Sequence, residues 1–86
     1  MASYKIVFKS SVEKDLRRVD KAQLKKVMAV IQELSSNPFP ANSRKLVGSD
    51  KTYRVRIGDY RAVYFVNTLD SVVENQKVAH RKDIYR

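Results

Sequence analysis

Tyr53-Arg54-Val55-Arg56-Ile57-Gly58-Asp59-Tyr60-Arg61-Ala62-Val63-Tyr64 is the stretch that decides how this chain folds. Aromatic and β-branched residues alternate with arginines before a Gly-Asp pair, and a second β-type run follows it. A period of two marks strands, and a two-residue Gly-Asp loop between them marks a β-hairpin. The turn then sets the register. Ile57 faces Tyr60, Arg56 faces Arg61, Val55 faces Ala62 and Arg54 faces Val63. Side chains alternate between the faces of a strand. Tyr53, Val55, Ile57, Tyr60, Ala62 and Tyr64 therefore share one face. Arg54, Arg56 and Arg61 share the other, beside Val63 and Phe65. Arg56 and Arg61 meet there as like-charged neighbours, which costs a sheet up to about 1 kcal/mol. Folding alone gives no reason for that arrangement. A phosphate-binding surface does, because guanidinium forks match phosphate oxygens and keep their charge. The plainer alternative is that the arginine stems cover apolar sheet while their heads stay in water.

Upstream, Tyr4-Lys5-Ile6-Val7-Phe8 reads as a strand. Ser10 and Glu13 have capping-box spacing, and Val12, Leu16 and Val19 recur at helical intervals. Asp20 with Gln23 marks a second cap, before the apolar stripe Leu24, Val27, Met28, Ile31, Leu34. Ser35-Ser36-Asn37-Pro38 ends that helix. Residues 37–51 read as loop, punctuated by Pro38, Pro40 and Gly48. Downstream of the hairpin, Asn67 to Asp70 forms a turn and Val72 to Ala79 a last strand, although its alternation is poor. The expected architecture is α+β: an N-terminal strand, a helical hairpin, then an antiparallel β-hairpin and a further strand. These form one sheet with both helices on one face. The 86 residues make one domain.

Charge is the dominant compositional signal. Eighteen Lys and Arg face nine Asp and Glu, a formal +9. Such a balance points to nucleic acid, an anionic membrane surface or an acidic protein as partner. No apolar run is long enough to span a bilayer and no signal-peptide core is present, so a cytoplasmic setting without membrane is expected. With no cysteine there is no disulfide or thiolate metal site.

His80-Arg81 closes the last strand and can join the arginine face. Tyr85 is an aromatic beside basic residues, a combination suited to stacking RNA bases while phosphates are paired. For a lone histidine and a terminal tyrosine, structural packing is the competing reading. Lys9, Lys14, Arg17, Arg18, Lys21, Lys25 and Lys26 lie on or around the helices, and Arg44 and Lys45 in the loop. These nine residues are candidates for RNA binding, with a solvated surface as the alternative. The carboxylates are scattered with no pair at ligand spacing, so a metal-dependent nuclease is not expected. With two glycines there is no glycine-rich phosphate loop. Neither metal nor cofactor is expected. Any catalysis would run on Arg, Lys, His and Tyr. Among these, His80 has the ordinary pKa nearest neutrality and is the candidate acid or base.

Arg44-Lys45-Leu46-Val47-Gly48, the hairpin sequence, and Val78-Ala79-His80-Arg81-Lys82-Asp83-Ile84-Tyr85 together resemble the RelE/ParE toxin superfamily. The resemblance covers the whole chain. It implies a RelE-like fold and a toxin–antitoxin hetero-oligomer, with an acidic or amphipathic segment of a cognate antitoxin over the basic face. The RelE branch implies a ribosome-dependent endonuclease. It cuts mRNA in the A site by metal-free attack of the ribose 2′-OH, leaving a 2′,3′-cyclic phosphate. The matching positions are Arg54, Arg56, Arg61, Arg81 and Tyr85, which in the family supply a base, charge stabilisers, an acid and a stacking or orienting tyrosine. Arg54 and Arg56 stand where the best-studied members carry lysine. Arginine does not readily release its proton, which again directs attention to His80. The ParE branch implies gyrase binding without nuclease chemistry. A basic RNA-binding module with neither activity is the third reading.

Overall fold

A computed structural model describes residues 3–83. In chain order they form β1 (Lys5–Phe8), α1 (Ser10–Arg17), α2 (Lys21–Glu33), β2 (Ser43–Lys45), β3 (Thr52–Ile57), β4 (Tyr60–Asn67) and β5 (Val72–His80). The strands make one sheet in the order β1-β5-β4-β3-β2. The α+β architecture is as expected, with both helices on one face. Val12, Val19, Val27, Ile31 and Leu34 from the helical layer are buried against Val55, Ile57, Ala62, Tyr64, Val66, Val73 and Val78 of the sheet.

The hairpin has the register read from its turn: Ile57 opposite Tyr60, Arg56 opposite Arg61, Val55 opposite Ala62, Arg54 opposite Val63. Gly58 has φ +59°, the positive value needed at the first central residue of a hairpin turn of the primed types. Space is not the constraint, since an added Cβ would meet only Gln23 Oε1, at 3.5 Å.

Two local expectations need correction. Ser10 does not cap α1. The N-cap is Lys9, whose side chain makes no cap hydrogen bond. The Lys9 N–H donates to the Asn75 carbonyl at 2.9 Å, so sheet pairing runs up to the helix start and Ser10 becomes the first helical residue. Asp20 does cap α2, accepting from the Ala22 N–H at 3.1 Å. The second correction is β2, which lies within the stretch read as loop. Ser43-Arg44-Lys45 has no apolar alternation, and it is a strand because it pairs antiparallel with Val55, Arg54 and Tyr53 of β3.

The expected last strand is present as β5, and its poor alternation has a structural cause. Val63 pairs with Lys77, but its neighbour Tyr64 pairs with Asn75. Gln76 is thus the extra residue of a β-bulge, which shifts the inward positions by one. Val73 and Asn75 face the helices before it, and Val78 after it. On its other side, β5 pairs in parallel with β1 from Val72 to Asn75. Beyond that, Asp15 of α1 takes over: its Oδ2 accepts from the Val78 N–H at 3.0 Å.

The long connection between α2 and β3 is held by aromatic packing. Tyr64 is fully buried and donates its hydroxyl to the Pro38 carbonyl at 2.8 Å. Burial raises the Tyr64 phenol above its ordinary value. Tyr53 stacks on Tyr64 with centroids 5.9 Å apart and meets the Phe39 edge at 5.1 Å. Tyr85 lies outside the described residues.

Candidate functional site

The face of the sheet away from the helices carries the unusual chemistry. Two rows of like charge cross it. Arg44 of β2 pairs with Arg54 of β3, and Arg56 of β3 pairs with Arg61 of β4. Across the next ladder Arg61 faces Ala79, whose methyl leaves room above β5. Just past β5, the Arg81 N–H donates to the Asp59 carbonyl at 2.7 Å, which brings the chain back to the hairpin tip. The result is a cavity of about 470 Å³ lined by Asn42, Arg44, Arg54, Arg56, Arg61 and Arg81. That volume is within the range of small-ligand sites. Among the described residues, no carboxylate lines it.

The electrostatics follow from this crowding. Partial burial, and then the charges of Arg56, Arg54 and Arg81, lower the Arg61 guanidinium below the ordinary arginine value, with Asp59 opposing them. One Arg61 nitrogen, Nη1, donates to the carbonyls of Tyr60 at 3.2 Å and Gly58 at 3.5 Å. That folds the side chain back over the turn. Asn42 Nδ2 donates to the Arg56 carbonyl at 3.0 Å, tying the segment before β2 to the strand that carries the cluster. A phosphate or phosphodiester entering this cavity would meet donors from several directions, at charges that do not titrate away.

Arg44, Arg54, Arg56, Arg61 and Arg81 are thus brought together. His80 is not, which corrects the expectation that His80 and Arg81 share the arginine face. Strand alternation after the bulge puts His80 on the helix side, paired with Tyr60. The two rings meet edge to face, with centroids 5.5 Å apart. There His80 lines a separate hollow of about 240 Å³ with Asp15, Arg18, Tyr60, Lys77 and Asp83 among its neighbours. Lys45 also leaves the cluster. It pairs with Tyr53, and its ammonium sits 6.0 Å from the Tyr53 ring centroid. Lys9, Lys14, Arg17, Arg18, Lys21, Lys25 and Lys26 are all exposed in the helical layer, across the sheet from the arginine cavity. Arg17 is paired there with Glu13 at 3.1 Å. Asn42 is the lining residue that sequence reasoning missed. The short strand that follows it carries no apolar pattern, so residue order holds no signal that would have found it.

The profile describing the ParE toxin of the type II toxin–antitoxin system parDE matches residues 6–85. Over 78 residues the chain is 37% identical to a Methanocaldococcus jannaschii protein designated putative toxin RelE1, covering 87% of each. It is 33% identical over 85 residues to toxin RelE3 of the same organism, covering 94% of each. Among solved structures, the archaeal RelE–RelB complex from Pyrococcus horikoshii OT3 contains a chain that superposes with a TM-score of 0.83 at 30% identity. That match covers 94% of this chain and 98% of that one. The chain belongs to the RelE/ParE toxin superfamily. Its curated relatives make it a RelE-like toxin of a toxin–antitoxin pair.

Proposed function

We propose that this toxin is an endoribonuclease that cleaves mRNA in the ribosomal A site, with the arginine cavity as the seat of the scissile phosphodiester. The observation that carries the reading is the convergence of Arg44, Arg54, Arg56, Arg61 and Arg81 on one cavity, with no carboxylate among the described residues of its lining. In the reaction the ribose 2′-oxygen attacks the adjacent phosphorus and the bond to the 5′-oxygen breaks. The products are a 2′,3′-cyclic phosphate and a free 5′-hydroxyl. The 2′-OH proton must leave and the 5′-oxygen must gain one. Negative charge grows on the phosphoryl oxygens in between, and Arg54, Arg56, Arg61 and Arg81 are arranged to stabilise it. Holding the 2′-oxygen in line with the departing 5′-oxygen supplies a further part of the rate. The metal-free course is an inference from the resemblance to the RelE branch.

The exposed basic residues of the helical layer suit a second contact with a large polyanion such as ribosomal RNA. A cognate antitoxin is the expected partner in the resting state. The Pyrococcus horikoshii relative is a RelE–RelB complex, and an acidic or amphipathic antitoxin segment would neutralise this surface. The match to a ParE description supports a second reading, a gyrase-binding toxin. Primer extension on translated mRNA separates the two. Discrete toxin-dependent stops within codons support the nuclease. Their absence, together with inhibition in a DNA supercoiling assay, favours the gyrase-directed alternative and overturns the first.

Phosphate contact has its own signature. Binding of the free toxin to RNA should weaken steeply with salt, because each neutralised phosphate releases counterions. Arg56→Gln and Arg61→Gln should each reduce the slope of log affinity against log salt by about 0.7–0.9 for every phosphate that is no longer neutralised. Unchanged slopes in both variants, measured by fluorescence anisotropy, mean that these side chains do not meet phosphates.

A further inference from the structure

We infer that His80 is a positioning residue that aims Arg81 into the arginine cavity, and that it does so through a hydrogen-bond acceptor rather than by transferring a proton. This rests on the proposed nuclease reading, in which Arg81 is part of the anion clamp. The geometry begins in the helical layer. The Asp20 N–H, at the N-cap of α2, donates to the Tyr60 hydroxyl at 3.1 Å. The Tyr60 ring takes the edge contact of His80. His80 Nδ1 accepts from the Lys82 N–H at 3.2 Å, and the His80 carbonyl accepts from the Asp83 N–H at 2.7 Å. These two bonds fold residues 80–83 into a tight turn at the end of β5. The residue inside that turn is Arg81, whose own N–H is held by the Asp59 carbonyl at 2.7 Å. Arg81 leaves the turn on the cavity side, while His80 stays on the helix side.

The acceptor at Nδ1 also constrains the tautomer. A neutral imidazole that accepts at Nδ1 carries its proton at Nε2. The ring's one acceptor is therefore occupied by the turn, on the opposite side of the sheet from the arginines. Protonating Nδ1 would break the bond that shapes the turn. What the site requires of residue 80 is thus a short side chain that accepts from the N–H two residues on. Asparagine meets the same requirement, since its side-chain oxygen makes that local bond readily.

The test compares wild type, His80→Ala and His80→Asn in single-turnover mRNA cleavage on programmed ribosomes, across the pH range in which imidazole titrates. His80→Ala should lower the rate about 100-fold, the scale of loss for a small misplacement of a catalytic group. His80→Asn should recover most of that loss and hold its rate at acid pH, where protonation of Nδ1 would open the turn in wild type. An asparagine variant as slow as the alanine one throughout that range would overturn the inference in favour of proton transfer. An alanine variant as fast as wild type would overturn it as well. A readout without ribosomes keeps the inference separate from the nuclease reading. In the free toxin, Lys82 amide exchange should accelerate in His80→Ala and stay slow in His80→Asn. In the same samples, inorganic phosphate should shift the Arg81 side-chain NMR resonance in wild type and His80→Asn, and much less in His80→Ala. If wild type cleaves no mRNA, the nuclease reading fails, and the phosphate titration still decides the inference.

Discussion

Arg61→Gln is expected to lower the single-turnover rate of mRNA cleavage about 10²–10³-fold, the usual loss when one preorganised donor to a developing anion is removed. Arg61 sits in the middle of the clamp. It faces Arg56 across one ladder and Ala79 across the other. Its guanidinium is partly buried and folded back onto the turn carbonyls. A group held in this way loses little freedom when the anion arrives. Glutamine keeps some length and hydrogen-bonding capacity but removes the charge. A loss of this size with the fold intact identifies charge stabilisation as the role of Arg61. A rate within a few-fold of wild type excludes it.

Arg56 provides the counterpart with opposite sign. Its side chain is exposed, and among the described residues no carboxylate pairs with it. Arg56→Gln should therefore leave stability unchanged or raise it by up to about 1 kcal/mol, by relieving the like-charge pair with Arg61. The same change should slow cleavage. A residue whose removal helps the fold and harms the reaction is retained for the reaction. If urea denaturation shows the variant clearly less stable, the arginine pair has a structural role that these contacts do not reveal.

Ile31→Ala should cost about 2–5 kcal/mol, the range for deleting a large aliphatic side chain from a packed core. Ile31 is fully buried in α2, where the helical layer covers the sheet. In a domain with about 5–15 kcal/mol of total stability, such a loss approaches global unfolding. Urea titration should show a large drop in midpoint with little change in slope. A cost under about 1 kcal/mol, outside that range, would mean that α2 covers the sheet loosely. The core would then not be what holds the arginine face rigid.

The hairpin was legible from the sequence because everything that specifies it is local. A two-residue turn leaves one register, and a period of two then assigns each side chain to a face. Thus the opposition of Arg56 and Arg61, the separation of Tyr53, Val55 and Ile57 from Arg54 and Arg56, and the helix stripe from Val12 to Leu34 could be read from residue order alone. The place of Arg81 at the end of the last strand made it a candidate for the arginine face, and the resemblance gave it a role there. Residue order left open the parallel seat of β1 beside β5, the edge strand β2 with Asn42 before it, and the face to which His80 turns. Strand pairing between distant segments depends on which backbone groups find partners once the sheet assembles, and Ser43-Arg44-Lys45 carries no apolar pattern to announce it. The bulge at Gln76 is equally silent, yet the one-residue offset it introduces governs every side chain beyond it on β5. Composition and spacing therefore determined that an arginine face exists. Only the assembled sheet decided that Arg81 joins it while His80, one residue earlier, packs against Tyr60 on the other side.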